Sequence, residues 1–299
     1  MNEKSLLSSI TDHAGGYSDR PWTVLRGRWK GDPMLLLGLS LLLMVSALAW
    51  AAPFLYPVDP LAMVGMPLLW PGEDPLFPLG TDSLGRDLAA AMAHGARTSL
   101  VIGLGAAGLS LVIGILIGAL GGYFGGWLDM VLLRLTELFQ TMPAFLLVVV
   151  MLAIGEATLG MIHLAIGLAS WPEVARLARS EFRRLQGADF VLAARGMGFS
   201  HWHIMTREIL PNALPPLIVT GSVLVAGAIL TESGLSFLGL SDPNVVSWGS
   251  MIGASREQLG SAWFLTVLPG SAIILLVLAF NLLGDGINDL LNPRTRSAA

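Results

Sequence analysis

Residues 34–52 read MLLLGLSLLLMVSALAWAA, an apolar run interrupted only by small residues and long enough to cross the hydrocarbon core of a bilayer as a helix. Comparable runs occupy about 98–121, 128–154, 158–171, 214–239 and 264–283, separated by Gly, Pro and charged residues. The run at 158–171 is short, contains His163, and is bounded by Glu156 and Glu173. The pattern predicts an all-α polytopic membrane helical bundle of about six transmembrane helices.

The composition supports lipid as the solvent for much of this chain. Of its 299 residues, 54% are hydrophobic and 13% are charged, and this charged share is about half of that in an ordinary soluble domain. A single soluble core rarely grows beyond about 250 to 300 residues, so a chain this apolar needs another place for its apolar surface. The chain has no cysteine, which excludes a disulfide framework, a thiol nucleophile and cysteine metal ligands.

Lys and Arg residues fall mostly on one side of the predicted spans. Cytoplasmic loops are enriched in these residues, so we assign this side, with both termini, to the cytoplasm. The positions are Lys4, Arg20, Arg26, Arg28, Lys30, Arg134, Arg176, Arg179, Arg183, Arg184, Arg195, Arg207, Arg294 and Arg296. The first external loop, about 57–93, is acidic instead, with Asp59, Glu73, Asp74, Asp82 and Asp87.

The spans divide the chain into four regions. Residues 1–33 are expected to form a cytoplasmic N-terminal tail, and 34–97 the first transmembrane helix with the acidic external loop. Residues 98–290 form the core transmembrane domain, which contains a cytoplasmic segment at 173–212. Residues 291–299 are a cytoplasmic C-terminal tail.

Glycine and proline suggest how the helices pack and bend. Gly114, Gly118, Gly122 and Gly126 recur every fourth residue, which would put them on one face of a helix. For Gly114 and Gly118, helix packing and a turn stay equally open. For Gly122 and Gly126 we prefer a turn, because glycine favours chain reversals. Pro143 lies inside the third span, and it should kink that span by removing a backbone hydrogen bond.

The cytoplasmic segment at 173–212 alternates charged and apolar residues and contains six arginines. It is too amphipathic to span a bilayer and too regular to be a tail. Its pattern predicts two short helices that are broken at Gly196 and Gly198 and end at Pro211. We therefore expect a short helix exposed at the cytoplasmic face.

This segment resembles the cytoplasmic signature of the permease subunits of bacterial ABC importers. The signature is Glu-Ala-Ala, three residues, Gly, nine residues, a hydrophobic residue, one more residue, and Leu-Pro. Leu192 stands where the signature has Glu, and Glu208 stands where it has the later hydrophobic residue. The positions that match the signature are Ala193, Ala194, Gly198, Leu210 and Pro211.

Further strings resemble the subgroup that imports dipeptides, oligopeptides and nickel, and specifically its second, C-type permease. Val246 stands where that subgroup has a proline before Ser-Trp-Gly. The strings are DFVLAAR at 189–195, ILPN at 209–212, LGTDSLGRD at 79–87, GARTSL at 95–100, LSFLGL at 235–240, SWG at 247–249 and NLLGDG at 281–286. Together they cover most of the chain in the family's order.

The resemblance implies a type I ABC importer fold and a place in the bacterial cytoplasmic (inner) membrane. The implied partners are a homologous first permease that completes a heterodimeric pore, two ATP-binding subunits, an extracytoplasmic solute-binding protein and membrane lipid, with no nucleic acid. The chain itself would be a non-catalytic pore-forming subunit that binds no cofactor, while ATP and Mg²⁺ are used by the partner ATPase subunits. Peptide is the first expected substrate, followed by nickel or a metal chelate.

The residues agree that ATP is hydrolysed elsewhere. The chain has no Gly-rich phosphate loop ending in Gly-Lys-Ser or Gly-Lys-Thr, and the string GGYFGG at 121–126 lacks the lysine that would meet phosphate charge.

The resemblance assigns ATPase coupling to Ala193, Ala194, Arg195, Gly198, Leu210 and Pro211. We interpret Ala193, Ala194 and Gly198 as a coupling helix whose small residues dock closely on an ATPase subunit, and the alternative is an amphipathic loop on lipid headgroups. Four nearby arginines either contact the ATPase or anionic lipid, or only set the topology. They are Arg176, Arg179, Arg183 and Arg184.

Glu232 is the candidate for the pore or substrate path, because a carboxylate facing lipid would be costly. A structural hydrogen bond to a neighbouring helix is the alternative. Asp82, Arg86, Asp87 and Trp248 are candidates for an external gate or for contact with the binding protein, and a loop salt bridge competes for the charged three.

No metal site is predicted at His201 and His203, which are two residues apart with no nearby carboxylate pattern. An ion-gradient-driven secondary transporter would also use broken spans and an intramembrane carboxylate, but no inverted repeat is evident. An intramembrane hydrolase lacks its motifs. A purely structural scaffold is the last alternative.

Overall fold

The structure is a computed structural model that describes residues 33–291, and it is built almost entirely of helices. The helices are α1 Pro33–Leu55, α2 Leu88–Phe124, α3 Gly126–Gln140, α4 Ala144–Ile154, α5 Leu159–Gln186, α6 Asp189–Gly196, α7 His201–His203, α8 Leu210–Phe237, α9 Trp248–Ser255 and α10 Phe264–Leu291. A π-helical turn, Ile204–Ile209, joins α7 to α8, and a 3₁₀ turn, Arg256–Gln258, follows α9. The tails predicted at 1–33 and 291–299 lie outside the described residues except at their inner ends.

Four helical stretches of the described chain are long and apolar enough to cross a membrane. Helices α3 and α4 make a fifth if the bent pair counts as one span. The stretches are Pro33–Leu55, Leu88–Phe124, His201–Phe237 and Phe264–Leu290. The sequence predicted about six, and the difference lies at 158–171. Those residues begin α5, whose apolar part ends soon, at Glu173 and Arg176, so α5 is not apolar over a full span.

Helices α2 and α8 lie at the centre of the bundle. Residues from both contribute to three buried apolar clusters. One cluster holds α5 and the cytoplasmic segment, the second holds α1, α9 and α10, and the third holds α4 and α5. The predicted all-α polytopic class is confirmed.

The glycines of α2 form its contact with α5. A Cβ atom added at Gly114, Gly118 or Gly122 would collide with backbone or side-chain atoms of α5. Packing is therefore confirmed for Gly114 and Gly118. The turn predicted at Gly122 is wrong, because this residue lies inside α2 and a Cβ there would be 2.9 Å from Cβ of Phe182. Gly126 has φ +59° at the start of α3 and belongs to a turn, as predicted.

The third predicted span is broken at its proline. Helices α3 and α4 meet at an angle of 78°, and Pro143 is the N-cap residue of α4. Proline has no backbone N–H and its ring crowds the preceding turn, so a helix cannot continue smoothly through it. The predicted kink is confirmed, and it is large enough to form an elbow.

Candidate functional site

Residues 173–186 of the predicted cytoplasmic segment belong to α5, so the name is kept below for residues 189–212. This segment begins with α6, which is followed by a Schellman turn at Gly198. The N–H of Phe199 donates to the carbonyl of Ala194 at 3.2 Å, and the N–H of Gly198 donates to that of Arg195 at 3.0 Å. Gly198 has φ +79°, in the left-handed region where glycine carries no Cβ penalty. A Cβ atom added there would meet nothing within 4 Å. Gly198 thus serves the backbone turn within this chain, and its close approach to an ATPase subunit stays a prediction.

Helix α6 presents two different faces. Val191 and Ala194 are buried against the bundle in a cluster with Phe182. The docking role predicted for the Ala194 side chain is therefore corrected, because that side chain faces inward. Ala193 and Arg195 lie on the exposed side. Four large apolar side chains are exposed in the same segment, and we call them the apolar patch: Leu192, Met197, Phe199 and Trp202.

The second cytoplasmic helix does not end at Pro211 as predicted. Helical structure runs from His201 through the π turn and on to Phe237. In the π turn the N–H of Leu210 bonds to the carbonyl of Met205, five residues back. This wider turn relieves the crowding that proline causes in an α-helix and needs no N–H at Pro211. Leu210 and Pro211, both half-buried, therefore join the segment rigidly to the long helix α8.

Tyr123, in the last turn of α2, anchors this segment to the bundle. Its side chain is 2% exposed, and its hydroxyl lies 2.8 Å from Nδ1 of His201. The guanidinium carbon of Arg195 is 5.5 Å from the centre of the tyrosine ring. Nε2 of Gln186 donates to the Tyr123 carbonyl at 2.6 Å. No sequence pattern points to Tyr123, which lies at the end of an apolar run.

Three of the four arginines that follow Glu173 are used in ion pairs within the chain. Arg179 makes two hydrogen bonds to the carboxylate of Asp129, one of them 2.7 Å from Nη2 to Oδ2. Arg183 lies 3.6 Å from the same carboxylate. Arg184 pairs with Glu181 at 2.5 Å. Arg176 differs from these, since it pairs with no acidic residue in the described part of the chain.

Glu232 lies inside the bundle between α8 and α9. It is 2% exposed, and its Oε1 accepts hydrogen bonds from Ser236 at 2.8 Å and from Ser247 at 2.6 Å. Ser247 is the N-cap residue of α9. Oε2 has no hydrogen-bond partner in residues 33–291 and lies against Gly249. These contacts are those of a structural link between two helices, and a substrate would reach this carboxylate only if α9 moved.

Trp248 is part of a helix joint and is not an exposed gate. It is 1% exposed, and its indole N–H donates to the carbonyl of Met92 at 2.9 Å. Its ring lies against Gly95, where an added Cβ would be 2.9 Å from Cδ1 of the ring. The predicted contact of Trp248 with a binding protein is corrected for its side chain, because α2 covers the indole.

The three charged candidates of the external loop are close together. One oxygen of Asp82 accepts from the N–H groups of Leu84 and Arg86, both at 2.8 Å. Its other oxygen lies 4.0 Å from Nε of Arg86. Asp87 caps α2 by accepting from the N–H of Ala89 at 2.9 Å. Asp82 and Arg86 border an external cavity of about 290 Å³ whose opposite wall includes Ser241, Asp242 and Ser250.

A comparison with protein-family models matches residues 110–297 to the family described as binding-protein-dependent transport system inner membrane component. The chain belongs to this family. The permease is 38% identical over 268 residues to a di/tripeptide transport system permease protein of Pseudomonas aeruginosa, covering 88% of each chain. It is 35% identical over 285 residues to a dipeptide transport system permease protein of Haemophilus influenzae, covering 92% of this chain and 97% of that one.

The chain is also similar to a third permease and to a solved transporter structure. A glutathione transport system permease protein of Pectobacterium atrosepticum is 35% identical to the permease over 261 residues, covering 87% of this chain and 86% of that one. Among solved structures, an inward-facing form of the MetNI methionine ABC transporter aligns with a TM-score of 0.56 at 18% identity, covering 68% of this chain and 96% of that chain. This last likeness concerns the fold, and it supports the type I importer architecture. The chain is thus an inner-membrane ABC importer permease, and the comparisons support this assignment over an ion-gradient-driven secondary transporter.

Proposed function

We propose that this permease forms half of a pore that imports small peptides, and that it hydrolyses no ATP itself. A homologous first permease would supply the other half, two ATP-binding subunits would use ATP and Mg²⁺, and a solute-binding protein would deliver the peptide from outside. Relatives whose names specify dipeptides, tripeptides and glutathione match most of the chain, which supports peptides over nickel. In this arrangement both termini lie in the cytoplasm.

The observation that carries the proposal is the two-sided cytoplasmic segment. Its inner side is held to the bundle through Val191 and Ala194, while its outer side exposes the apolar patch. Large exposed apolar side chains gathered in one short segment outside the predicted spans are typical of a protein–protein contact. From His201 onward the segment continues into α8 without a break in helical structure, so Trp202 of the patch lies on the same continuous helical stretch as α8. An ATPase bound to the patch would therefore act directly on a membrane-spanning helix.

The proposed coupling is a rigid-body movement of packed helices. Closure of the ATP-binding subunits displaces α6 and the turn at Gly198, and α8 follows through the π turn. Helix α8 carries Glu232, whose bond to Ser247 reaches α9 on the far side of the bundle. The movement at the cytoplasmic face thereby reaches the external half of the protein.

On the external face, the binding protein would dock over the cavity bordered by Asp82 and Arg86. Nε of Arg86 lies 4.0 Å from Asp82, and the Arg86 side chain is 30% exposed. The exposed part of the guanidinium would then meet an acidic group of the docked protein. Asp87 and Trp248 act behind this surface, where they position α2 and α9.

The test is reconstitution of the complete importer in lipid vesicles with the binding protein outside and ATP inside. We expect ATP-dependent uptake of a labelled dipeptide, Gly-Leu, and no uptake of nickel. Met197→Asp should weaken binding of the ATP-binding subunits by about tenfold or more, as for a residue at the centre of an interface. The matched control is Met63→Asp in the external loop, since Met63 is 66% exposed and Met197 is 68% exposed.

Met63→Asp should leave that binding unchanged. ATP-binding subunits that associate with Met197→Asp as tightly as with the wild type would contradict the docking surface. Nickel uptake without peptide uptake would contradict the substrate class.

A further inference from the structure

A second cavity, of about 500 Å³, lies at the elbow between α3, α4 and α5. Its size is that of an ordinary small-molecule site. The side chains and backbone around it include Phe139, Gln140, Pro143, Ser170, Glu173 and Arg176. No role proposed above uses this cavity.

The cavity lies about midway along α5. The first N–H of α5, at Leu159, donates to Asp242 beside the external cavity at 2.9 Å, and the helix ends at Gln186 beside the cytoplasmic segment. At 1.5 Å per residue, Glu173 is about 20 Å from either end. At this point of α5 the elbow residues Met142 and Pro143 border the cavity.

Two opposite charges face this cavity without neutralising each other. Glu173 and Arg176 are three residues apart, which puts them on one face of α5 with Cβ atoms about 5–6 Å apart. Within residues 33–291 neither forms an ion pair, although the next three arginines of α5 all do. Both side chains are exposed within this chain, so their charges are open to a molecule in the cavity.

The partner of Arg176 within this chain is neutral. In the amide orientation that lets it accept, the side-chain oxygen of Gln140 lies 3.2 Å from Nε and 3.3 Å from Nη2 of Arg176. The amide steadies the guanidinium but leaves its charge uncompensated. Phe139 packs edge-on against Trp171, with ring centres 5.2 Å apart, beside the two charged groups. The site thus combines an anion, a cation and an apolar wall.

We propose that this cavity is a transit site for a zwitterionic peptide. Glu173 binds the peptide's ammonium group, Arg176 binds its carboxylate, and the apolar wall receives a side chain. The two ends of an extended dipeptide are about 7 Å apart, which suits two charges one helical turn apart. This inference rests on the proposed peptide import and adds that the permease itself reads both ends of its substrate.

The first test uses the absence of cysteine from this chain. Ser170→Cys gives this subunit a single thiol, which lies in the cavity of the fully assembled importer. A small charged methanethiosulfonate reagent modifies the thiol if the cavity is open to water, and the increase in the mass of this subunit measures the modification. We expect the thiol to react and Gly-Leu at high concentration to protect it. A thiol that does not react means that another subunit fills the elbow, and a thiol that Gly-Leu does not protect means that the peptide does not bind there. Either result overturns the site.

The second test is Gly-Leu uptake by Glu173→Gln and Arg176→Gln in the complete importer. Loss of a hydrogen bond to a charged group should lower uptake about ten- to hundredfold at low substrate concentration. Binding of the ATP-binding subunits and of the loaded binding protein should persist. The matched control is Arg134→Gln, which removes an arginine of the neighbouring helix α3 that pairs with Glu137 and should leave uptake unchanged.

The double variant Glu173→Arg/Arg176→Glu distinguishes peptide binding by the two residues from an interaction of the two residues only with each other. If the two residues served only each other, exchanging the charges would restore uptake and the proposal would be wrong. Normal uptake by both single variants, beside a wild type that imports Gly-Leu, overturns the transit site alone. A wild-type importer that takes up no Gly-Leu overturns the proposed function as well.

Discussion

The hydroxyl of Tyr123 lies 2.8 Å from Nδ1 of His201, and this bond joins the last turn of α2 to the segment that carries the apolar patch. Tyr123 is buried, so its ring is held in place within the bundle. A displacement of the segment would therefore move α2 through this hydrogen bond and α8 through the π turn. Both central helices of the bundle would then move with the segment.

Replacing Tyr123 by phenylalanine tests this connection, since it removes the hydroxyl and keeps the ring in its cluster. The lost hydrogen bond should cost about 1 kcal/mol in the free energy of unfolding. We expect the ATP-binding subunits to stay bound but fewer peptides to be imported per ATP hydrolysed. His201→Gln should have a similar effect, and the double variant should be no worse than either single one. Fully additive losses would show that the two side chains act separately.

The turn at Gly198 gives a second prediction. Gly198→Ala puts a Cβ on a residue with φ +79°, which costs about 1–2 kcal/mol for an ordinary L-residue. Asparagine adopts this region more readily, so Gly198→Asn should retain more ATPase association and uptake than Gly198→Ala. Gly196→Ala is the control, because Gly196 ends α6 with open space around it and alanine favours helix. Equal losses for alanine and asparagine at 198 would mean that space, not backbone conformation, selects glycine there.

Local patterns predicted those parts of the fold that depend on a single stretch of chain. The apolar run at 34–52 became α1, and the missing N–H of Pro143 became the elbow between α3 and α4. The breaking role of Gly198 was also predicted, although its reason is the Schellman turn. Such features follow from one residue and its immediate neighbours.

Features that depend on a distant partner were not predictable. Ala194 faces inward because Phe182, on a different helix, lies behind it, and Trp248 is covered because Gly95 leaves room for its ring. Gly122 looked like a turn residue because other glycines follow it, while its actual neighbours belong to α5. The cavity at Glu173 requires the elbow and α5 to meet, and no spacing along the sequence encodes that meeting.

Glu232 gives a prediction that separates a structural link from a substrate contact. Glu232→Gln keeps an oxygen that can accept from Ser236 and Ser247, so a structural role predicts near-normal uptake. Glu232→Ala removes the acceptor of both hydroxyls and leaves a cavity, which should cost about 2–5 kcal/mol of stability. The measurement is thermal unfolding of the purified importer together with Gly-Leu uptake. A Glu232→Gln protein with wild-type stability and no uptake would show that the charge itself serves the transport path.

The seam between α2 and α5 gives the last prediction, because it fixes the helix that carries Glu173 and Arg176. A Cβ added at Gly118 would be 2.7 Å from Cβ of Ala178, whereas Gly108 on the same helix has no atom within 4 Å of that position. Gly118→Ala should therefore destabilise the protein by about 1–3 kcal/mol through overpacking. Gly108→Ala should stabilise α2 by up to about 1 kcal/mol. Thermal unfolding of both variants measures the difference, and labelling of Ser170→Cys in the Gly118→Ala background should change because α5 is displaced. Identical melting of the two alanine variants would mean that the helices separate freely at this seam, and α2 would then not hold α5 in place at the elbow cavity.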